Sequence, residues 1–263
     1  MSISSHLFLH GKRIVLTRPQ HQTSAWEAAL TRLGAHVVLY PVLAIQSPQQ
    51  PAPFKQAIEQ ALEGRFSWIV FSSANTVHAI KKQLDALGGN GQLPTHVKLA
   101  AVGNVTAKAI EQQLRKTAHF VAPRPNGQCL GQTLPLQGEE TILLPQAQNA
   151  QPNLQQALQQ RSRNVCVVTA YRSVPHCPPQ NPMEVFCPLQ GLCVVCFTSG
   201  SSVTACLAAL QKHRALALLN DCIIACVGQS SIQTATQKGL SVGIACYHAT
   251  LESLVYTLRK RFA

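Results

Sequence analysis

One stretch of this chain occurs twice. Phe71-Ser72-Ser73-Ala74-Asn75-Thr76-Val77 returns as Phe197-Thr198-Ser199-Gly200-Ser201-Ser202-Val203 at an offset of 126, and Ala101-Val102-Gly103-Asn104 returns as Cys226-Val227-Gly228-Gln229 at an offset of 125. Upstream, Ile14-Val15-Leu16 maps onto Ile142-Leu143-Leu144 at an offset of 128. Near-constant offsets over separate motifs restrict the chain to two similar halves. Each repeated piece is an apolar run ending in a Ser-, Asn- or Gly-rich turn, the signature of a strand that feeds a helix.

The intervening residues carry the same alternation. Strands are predicted at Ile14–Thr17, Ala35–Leu39, Trp68–Phe71, Lys98–Val102, His119–Val121 and Ser241–Cys246. Helices are predicted over Trp26 to Leu33, Phe54–Leu62, Thr76–Leu87, Ala107–Leu114, Leu154–Gln160 and Thr250–Arg261. Strands alternating with helices through short loops mean an α/β fold with mostly parallel, doubly wound sheets. Tyr40 to Pro53 and Pro175 to Pro188 are rich in proline and are predicted as loop connections at the surface. A loop is also predicted at Gly88-Gly89-Asn90-Gly91.

With 46% hydrophobic and 12% charged residues over 263 positions, the chain has core enough to fold without staples. Its ten cysteines are therefore predicted to be free and mostly buried. Met1 to His10 contains no apolar segment of signal-peptide length, which points to a reducing, cytoplasmic setting. A run of about eighteen apolar residues, enough to span a membrane, is not found. The formal charge of +12 calls for an anionic partner. Basic residues are scattered, with short clusters at Lys12-Arg13, Lys81-Lys82, Arg115-Lys116 and Arg259-Lys260-Arg261, and no aromatic-basic nucleic-acid module is present. A small anion fits better than nucleic acid or a membrane.

Four turns repeat one chemistry: Ser72-Ser73-Ala74-Asn75, Gly103-Asn104-Val105-Thr106, Thr198 to Ser202, and Gly228-Gln229-Ser230-Ser231. Each puts hydroxyls and free N–H groups at a helix N-terminus, where an anion is favoured. The same residues would also serve as plain N-caps, and at any one turn both readings stand. No G-x-G-x-x-G follows a strand and no phosphate-binding G-x-x-x-x-G-K-[ST] exists, so a nucleotide cofactor is unsupported. Cys193-Val194-Val195-Cys196 has redox-motif spacing but lies inside an apolar strand, which predicts packed thiols, as for Cys222 and Cys226. The histidines form no ligand-spaced pair, and no metal is predicted. The ten acidic residues form no recognisable catalytic pair.

Val165 to Val168 reads as a buried strand, from which Tyr171-Arg172 leaves the sheet ahead of Pro175. A tyrosine there either caps a core or reaches a ligand.

The chain resembles the uroporphyrinogen-III synthase family. The resemblance runs end to end, through Val15-Leu16-Thr17-Arg18-Pro19, Leu33-Gly34-Ala35, Tyr40-Pro41-Val42, Phe71 to Asn75, Ala101 to Thr106, Tyr171-Arg172, Phe197-Thr198-Ser199 and Val227-Gly228. It implies two doubly wound parallel-sheet domains of similar topology joined by two crossing linker strands. Residues 1–41 with 175–263 would form one discontinuous domain and 46–169 the other, with linkers at 42–45 and 170–174 and Tyr171 facing the cleft between them. So few linking residues imply a monomer with wide interdomain motion.

The activity implied is cyclisation of the linear tetrapyrrole hydroxymethylbilane to uroporphyrinogen III, with inversion of the last pyrrole ring, loss of water and no cofactor. Tyr171 matches the tyrosine proposed to help the hydroxyl leave; a free phenol titrates at about 10 and is a proton donor at neutral pH. Arg18, Ser72, Ser73, Thr106, Ser199, Ser201 and the turn Gly228 to Ser231, with the hydroxyls of Ser230 and Ser231, are the candidate substrate contacts. Two departures from the family stand out. Gln148-Asn149-Ala150-Gln151 replaces a frequent Gly-Arg pair, and Ser230-Ser231 replaces a frequent Thr-Thr. A two-domain hinge protein that binds a small polycarboxylate without catalysis is the competing reading.

Overall fold

The computed structural model describes residues 7–88, 92–187 and 191–263. Residues 1–6, Gly89 to Gly91 of the predicted glycine loop, and Pro188 to Gln190 lie outside them. The chain divides into two compact units, Met1–Ala44 with Val174–Ala263, and Ile45–Ser173.

The elements run β1 (Lys12–Leu16), α1 (Ser24–Arg32), β2 (His36–Leu39), β3 (Leu43–Gln46), α2 (Ala52–Leu62), β4 (Trp68–Phe71) and α3 (Ala74–Ala86). Next come β5 (Lys98–Ala101), α4 (Asn104–Leu114), β6 (Phe120–Val121), α5 (Gly127–Thr133), β7 (Ile142–Ala147), α6 (Asn153–Gln159) and β8 (Val165–Pro175). The chain ends with α7 (Pro182–Phe186), β9 (Leu192–Phe197), α8 (Gly200–Lys212), β10 (Cys222–Val227), α9 (Gln229–Gln237), β11 (Val242–Cys246) and α10 (Leu251–Phe262).

In the split unit the strand order is β2-β1-β9-β10-β11, every pair parallel. Strands buried on both faces read as continuous apolar runs, as Ile14-Val15-Leu16 and Val194 to Phe197 do, all at 0% exposure. One face packs on α7, α8 and α9, the other on α1 and α10.

In the continuous unit the order is β3-β8-β7-β4-β5-β6, and the pairs from β8 to β6 are parallel. Helices α2, α3 and α4 cover one face and α5 and α6 the other. Setting β7 against β1, β8 against β2, and β4, β5 and β6 against β9, β10 and β11 makes the two orders identical but for the added edge strand β3. They are circular permutations of one sheet, as the repeated motifs require. The order reverses at β1/β9 in one sheet and at β7/β4 in the other; outside the carboxyl ends at such a reversal is where open α/β sheets bind ligands.

Several expectations need correction. The predicted loop from Tyr40 to Pro53 contains β3 and the start of α2. Tyr171-Arg172 does not leave the sheet, because β8 continues to Pro175. The Arg172 guanidinium bonds Gln46 Oε1 at 2.8 Å and the Ser47 carbonyl at 3.3 Å, while the His176 N–H donates to the Val42 carbonyl at 2.8 Å. Rising numbers meet falling ones, so β3 pairs antiparallel with β8, and a proline at the end of such a strand breaks no ladder bond. The stretch from Pro175 to Pro188 is more than a surface connection. Asn181 caps α7, proline occupies its first turn, and Val185 and Phe186 enter the core, with the Phe186 ring edge-on to Tyr40 at 5.1 Å.

Helix α5 was not anticipated. Its glycines, Gly127 and Gly131, are weak helix formers, but a Cβ on Gly131 would come within 2.6 Å of the Ala157 Cβ, so glycine lets α5 and α6 touch. All ten cysteines are free, but only half are buried rather than most. Cys193 and Cys196 belong to opposite faces of β9, since residues three apart on a strand point apart, and cannot act as a redox pair.

Candidate functional site

Tyr171 is the residue most shaped by its local backbone. Along β8, Cys166, Val168 and Ala170 face α2–α4, while Val165 and Val167 face α5 and α6. Strict alternation would send Tyr171 to the α5–α6 side. A register shift intervenes: Gln146 pairs with Thr169 but Ala147 pairs with Tyr171, leaving Ala170 as an extra residue. This β-bulge re-aims the side chain, so Ala170 and Tyr171 lie on the same face. The Tyr171 ring is 8% exposed, and its hydroxyl comes within 3.2 Å of Ser73 Oγ. The ring closes the core, and the oxygen sits at the N-terminus of α3.

Ser73 is the N-cap of α3, accepting the Thr76 N–H at 3.2 Å. Its Oγ is also 3.1 Å from Thr76 Oγ1, which in turn is 3.4 Å from Ser72 Oγ. Four hydroxyls therefore meet where the helix dipole is positive. Gly103 takes the corresponding place before α4, at the end of β5, and Val105 on that turn is 75% exposed. Beside Gln148, just beyond β7, a cavity of about 330 Å³ opens between Pro48, Gln49, Gln50, Pro53 and Val167 to Thr169.

The split unit repeats the arrangement. Ser199 caps α8 in a capping box, accepting the Ser202 N–H at 3.1 Å, with the Ser199 N–H donating to Ser202 Oγ at 3.3 Å. Gly228 precedes α9 with φ at +96°, a left-handed conformation that glycine adopts without strain. Ser201 and Ser230 are exposed in the first turns of their helices.

Two candidates are buried. Thr106 is 4% exposed, and Ser231 is fully buried with its hydroxyl donating to the Gly228 carbonyl at 2.7 Å. Both occupy the third helical position after the cap. So do Thr76 and Ser202, which sequence reasoning passed over, and Ser202 donates to the Ser199 carbonyl at 2.7 Å. At Ser202 and Ser231 the buried hydroxyl fastens the turn. The signal was there to be read, since all four repeated motifs carry Ser or Thr three residues after the cap.

Arg18 follows β1 at the strand reversal. Its guanidinium stacks 4.4 Å from the Trp26 ring and one nitrogen donates to Gln22 Oε1 at 3.2 Å, while Nε is buried without a hydrogen-bond partner. Burial lowers its pKa from the ordinary value, partly opposed by the nearby Cys196 sulfur. Among the described residues no carboxylate forms an ion pair with it, and a desolvated guanidinium of this kind favours an anionic partner.

Cys177 Sγ and His213 Nε2 lie 3.3 Å apart, a pairing that sequence spacing hid. Among the described residues no group of three or more His, Cys, Asp or Glu side chains could hold a metal ion. No described helix is long and apolar enough to cross a membrane.

A family model described as uroporphyrinogen-III synthase HemD matches residues 24–256. The uroporphyrinogen-III synthase of Synechococcus elongatus is 31% identical over 200 residues, which cover 74% of this chain and 73% of that protein. Among solved structures, a mutant uroporphyrinogen III synthase from the extremely thermophilic bacterium Thermus thermophilus superposes with a TM-score of 0.57 at 19% identity, over 94% of this chain and 97% of that one. Uroporphyrinogen-III synthetase from Helicobacter pylori does so with a TM-score of 0.57 at 14% identity, over 93% and 97%. At these identities the two structures speak to the fold.

Proposed function

The chain belongs to the uroporphyrinogen-III synthase family, and from that premise we propose that it closes hydroxymethylbilane to uroporphyrinogen III, with Tyr171 as the proton donor. The observation that carries this reading is the Tyr171 hydroxyl beside Ser73 at the N-terminus of α3. Loss of water breaks the bond between the hydroxymethyl carbon and its oxygen, and the departing oxygen needs a proton. Tyr171 gives it, and the phenolate left behind is stabilised by the positive end of the helix.

The rest is binding and orientation. The substrate is a polycarboxylate, and a net charge of +12 draws it in. Backbone N–H groups in the first turns of α3 and α4, and of α8 and α9, hold acetate and propionate groups, aided by the hydroxyls of Ser72, Ser201 and Ser230 and by Arg18. Ser73 and Ser199 shape these ends as N-caps, Gly228 supplies the turn before α9, Ser231 keeps that turn closed, and Thr106 lies buried beneath the turn before α4. The bilane also closes unaided, to the isomer whose last ring is not inverted, so the protein's task is to fix the chain ends such that the spiro-type attack wins. No cofactor is called for. The non-enzymatic hinge reading draws no support from a relative that is a synthase.

The test is the isomer ratio of uroporphyrin recovered, after oxidation, from freshly generated hydroxymethylbilane. Type III should dominate with this protein, and Tyr171→Phe should cut its rate of formation by about 100-fold or more, the usual scale of general acid catalysis. Type I at the uncatalysed rate refutes the reading.

A further inference from the structure

We propose that Thr76 and Ser73 are positioning residues for the reaction, forming a hydroxyl chain that donates toward the Tyr171 oxygen once that oxygen has given up its proton. The inference rests on the function proposed above and adds to it a residue, Thr76, that has no exposed surface and so cannot itself touch substrate.

The argument is a proton count. Ser73 Oγ already accepts one bond from the Thr76 N–H at 3.2 Å. Its single hydroxyl proton can go to Tyr171 Oη, 3.2 Å away, or to Thr76 Oγ1, 3.1 Å away. While Tyr171 keeps its proton, either direction satisfies the group. When Tyr171 passes that proton to the departing hydroxyl, its oxygen becomes an acceptor only. Ser73 must then donate to it. That leaves Ser73 Oγ with no proton for Thr76, and the Thr76 hydroxyl turns to donate to Ser73, with Ser72 Oγ, 3.4 Å from Thr76 Oγ1, behind it. Every member donates one place toward the phenolate, and such aligned bonds reinforce one another in a low-dielectric interior. No proton is handed along the hydroxyls themselves. The spiro-forming carbon carries no hydrogen, and its bond to the old bridge breaks; the proton that departed with water is made good on Tyr171 when the free ring carbon that then makes the closing bond loses its hydrogen and the pyrrole regains aromaticity.

The backbone supports the same direction. The bulge at Ala170 brings the phenol to the α2–α4 face, and the N-terminus of α3 presents its positive end to the developing charge. In the split unit the corresponding hydroxyl, on Ser202, donates instead to the Ser199 carbonyl at 2.7 Å, an ordinary local closure.

Steady-state formation of the type III isomer would be measured for Thr76→Val, Thr76→Ser and Ser73→Gly, each in the wild-type and Tyr171→Phe backgrounds, with thermal melts alongside. Glycine is chosen because as an N-cap it costs little relative to serine. Thr76→Val should lower kcat about tenfold with KM unchanged, a part of the full general-acid effect. Thr76→Ser should restore kcat. In the Tyr171→Phe background neither Thr76→Val nor Ser73→Gly should lower the rate further, since residues acting as one unit are not additive. Full activity in Thr76→Val, or losses that multiply with Tyr171→Phe, overturn the proposal. If Thr76→Val does not fold, the Ser73→Gly pair of backgrounds decides alone. A wild-type protein that yields only type I would instead defeat the function it rests on.

Discussion

Replacing Gly131 by alanine sets two opposing terms against each other, and the geometry decides between them. Alanine is favoured over glycine inside a helix by about 1 kcal/mol. Against that gain, the new Cβ would lie 2.6 Å from the Ala157 Cβ and 3.2 Å from the Leu154 carbonyl oxygen. Carbon atoms in contact settle at about 3.5–4.0 Å, so α5 and α6 would have to part by about 1 Å. Neither obstacle is the tip of a flexible side chain. The Gly131 carbonyl also accepts a 2.8 Å bond from the Arg161 guanidinium, which ties α5 in place. Overpacking of this kind costs about 1–3 kcal/mol or more. The clash should therefore outweigh the helical gain, leaving Gly131→Ala about 1–2 kcal/mol less stable than the wild type. With an m-value of about 1–3 kcal/mol/M, the urea midpoint should fall by about 0.5–1 M. The companion variant Gly131→Ala/Ala157→Gly restores the space on the other helix and should recover most of the midpoint, giving a coupling of about 1 kcal/mol or more in the double-mutant cycle. Gly131→Ala as stable as the wild type, or two substitutions whose effects simply add, would show that α5 and α6 are not in close contact through this pair.

Two further outcomes are expected. Burial pushes the Tyr40 phenol up to about 12, with Cys206 and Cys177 adding to the shift. A folded-state value above the unfolded one of about 10 means stability that is complete below pH 10 and lost as pH rises toward 12, as the unfolded chain ionises and the folded one cannot. Tyr40 Oη is also buried without a hydrogen-bond partner, so Tyr40→Phe should be as stable as the wild type at pH 7 and should lose less stability between pH 10 and 11 in urea titrations; identical pH curves would contradict this. Iodoacetamide at pH 8 should modify the half-buried Cys129, Cys177 and Cys187 of the folded protein well before Cys206, held up at about 12, and Cys226, at about 11, both by burial. Uniform labelling by peptide mass mapping would refute the packing of the thiols.

The parts of the fold that were legible in the sequence are those where local pattern and burial agree. Trp68 to Phe71 and Leu192 to Phe197 are continuous apolar runs because both faces of a parallel sheet are covered, and the turns after them repeat because both units use the same strand-to-helix step. What stayed hidden depends on partners distant in sequence. The strand Leu43–Gln46 exists because β8 offers it an edge, and α5 exists because Gly131 meets Ala157. At the site, Tyr171 could be singled out but its direction could not, since that is set by a bulge against Ala147 that leaves no mark on the alternation of β8 itself. Thr106 and Ser231 were drawn to notice by their hydroxyls, yet position three of a helix points inward. Thr76 was overlooked for want of a reason to look beneath the turn.

The order in which the strands of the split unit leave the ribosome has its own consequence. Val15 of β1 pairs with Val38 on one side and with Val195 on the other. The first partner is available almost at once, whereas the second is 180 positions further on. At about 5–20 residues per second, the nascent β1-α1-β2 segment waits roughly ten to forty seconds with an apolar strand edge open. During that interval every strand of the continuous unit is synthesised, and that unit can close its own sheet. The permuted arrangement thus makes a segment translated before the continuous unit wait until after it to be enclosed, and its exposure to chaperones or to neighbouring chains is a property of the strand order rather than of any one residue.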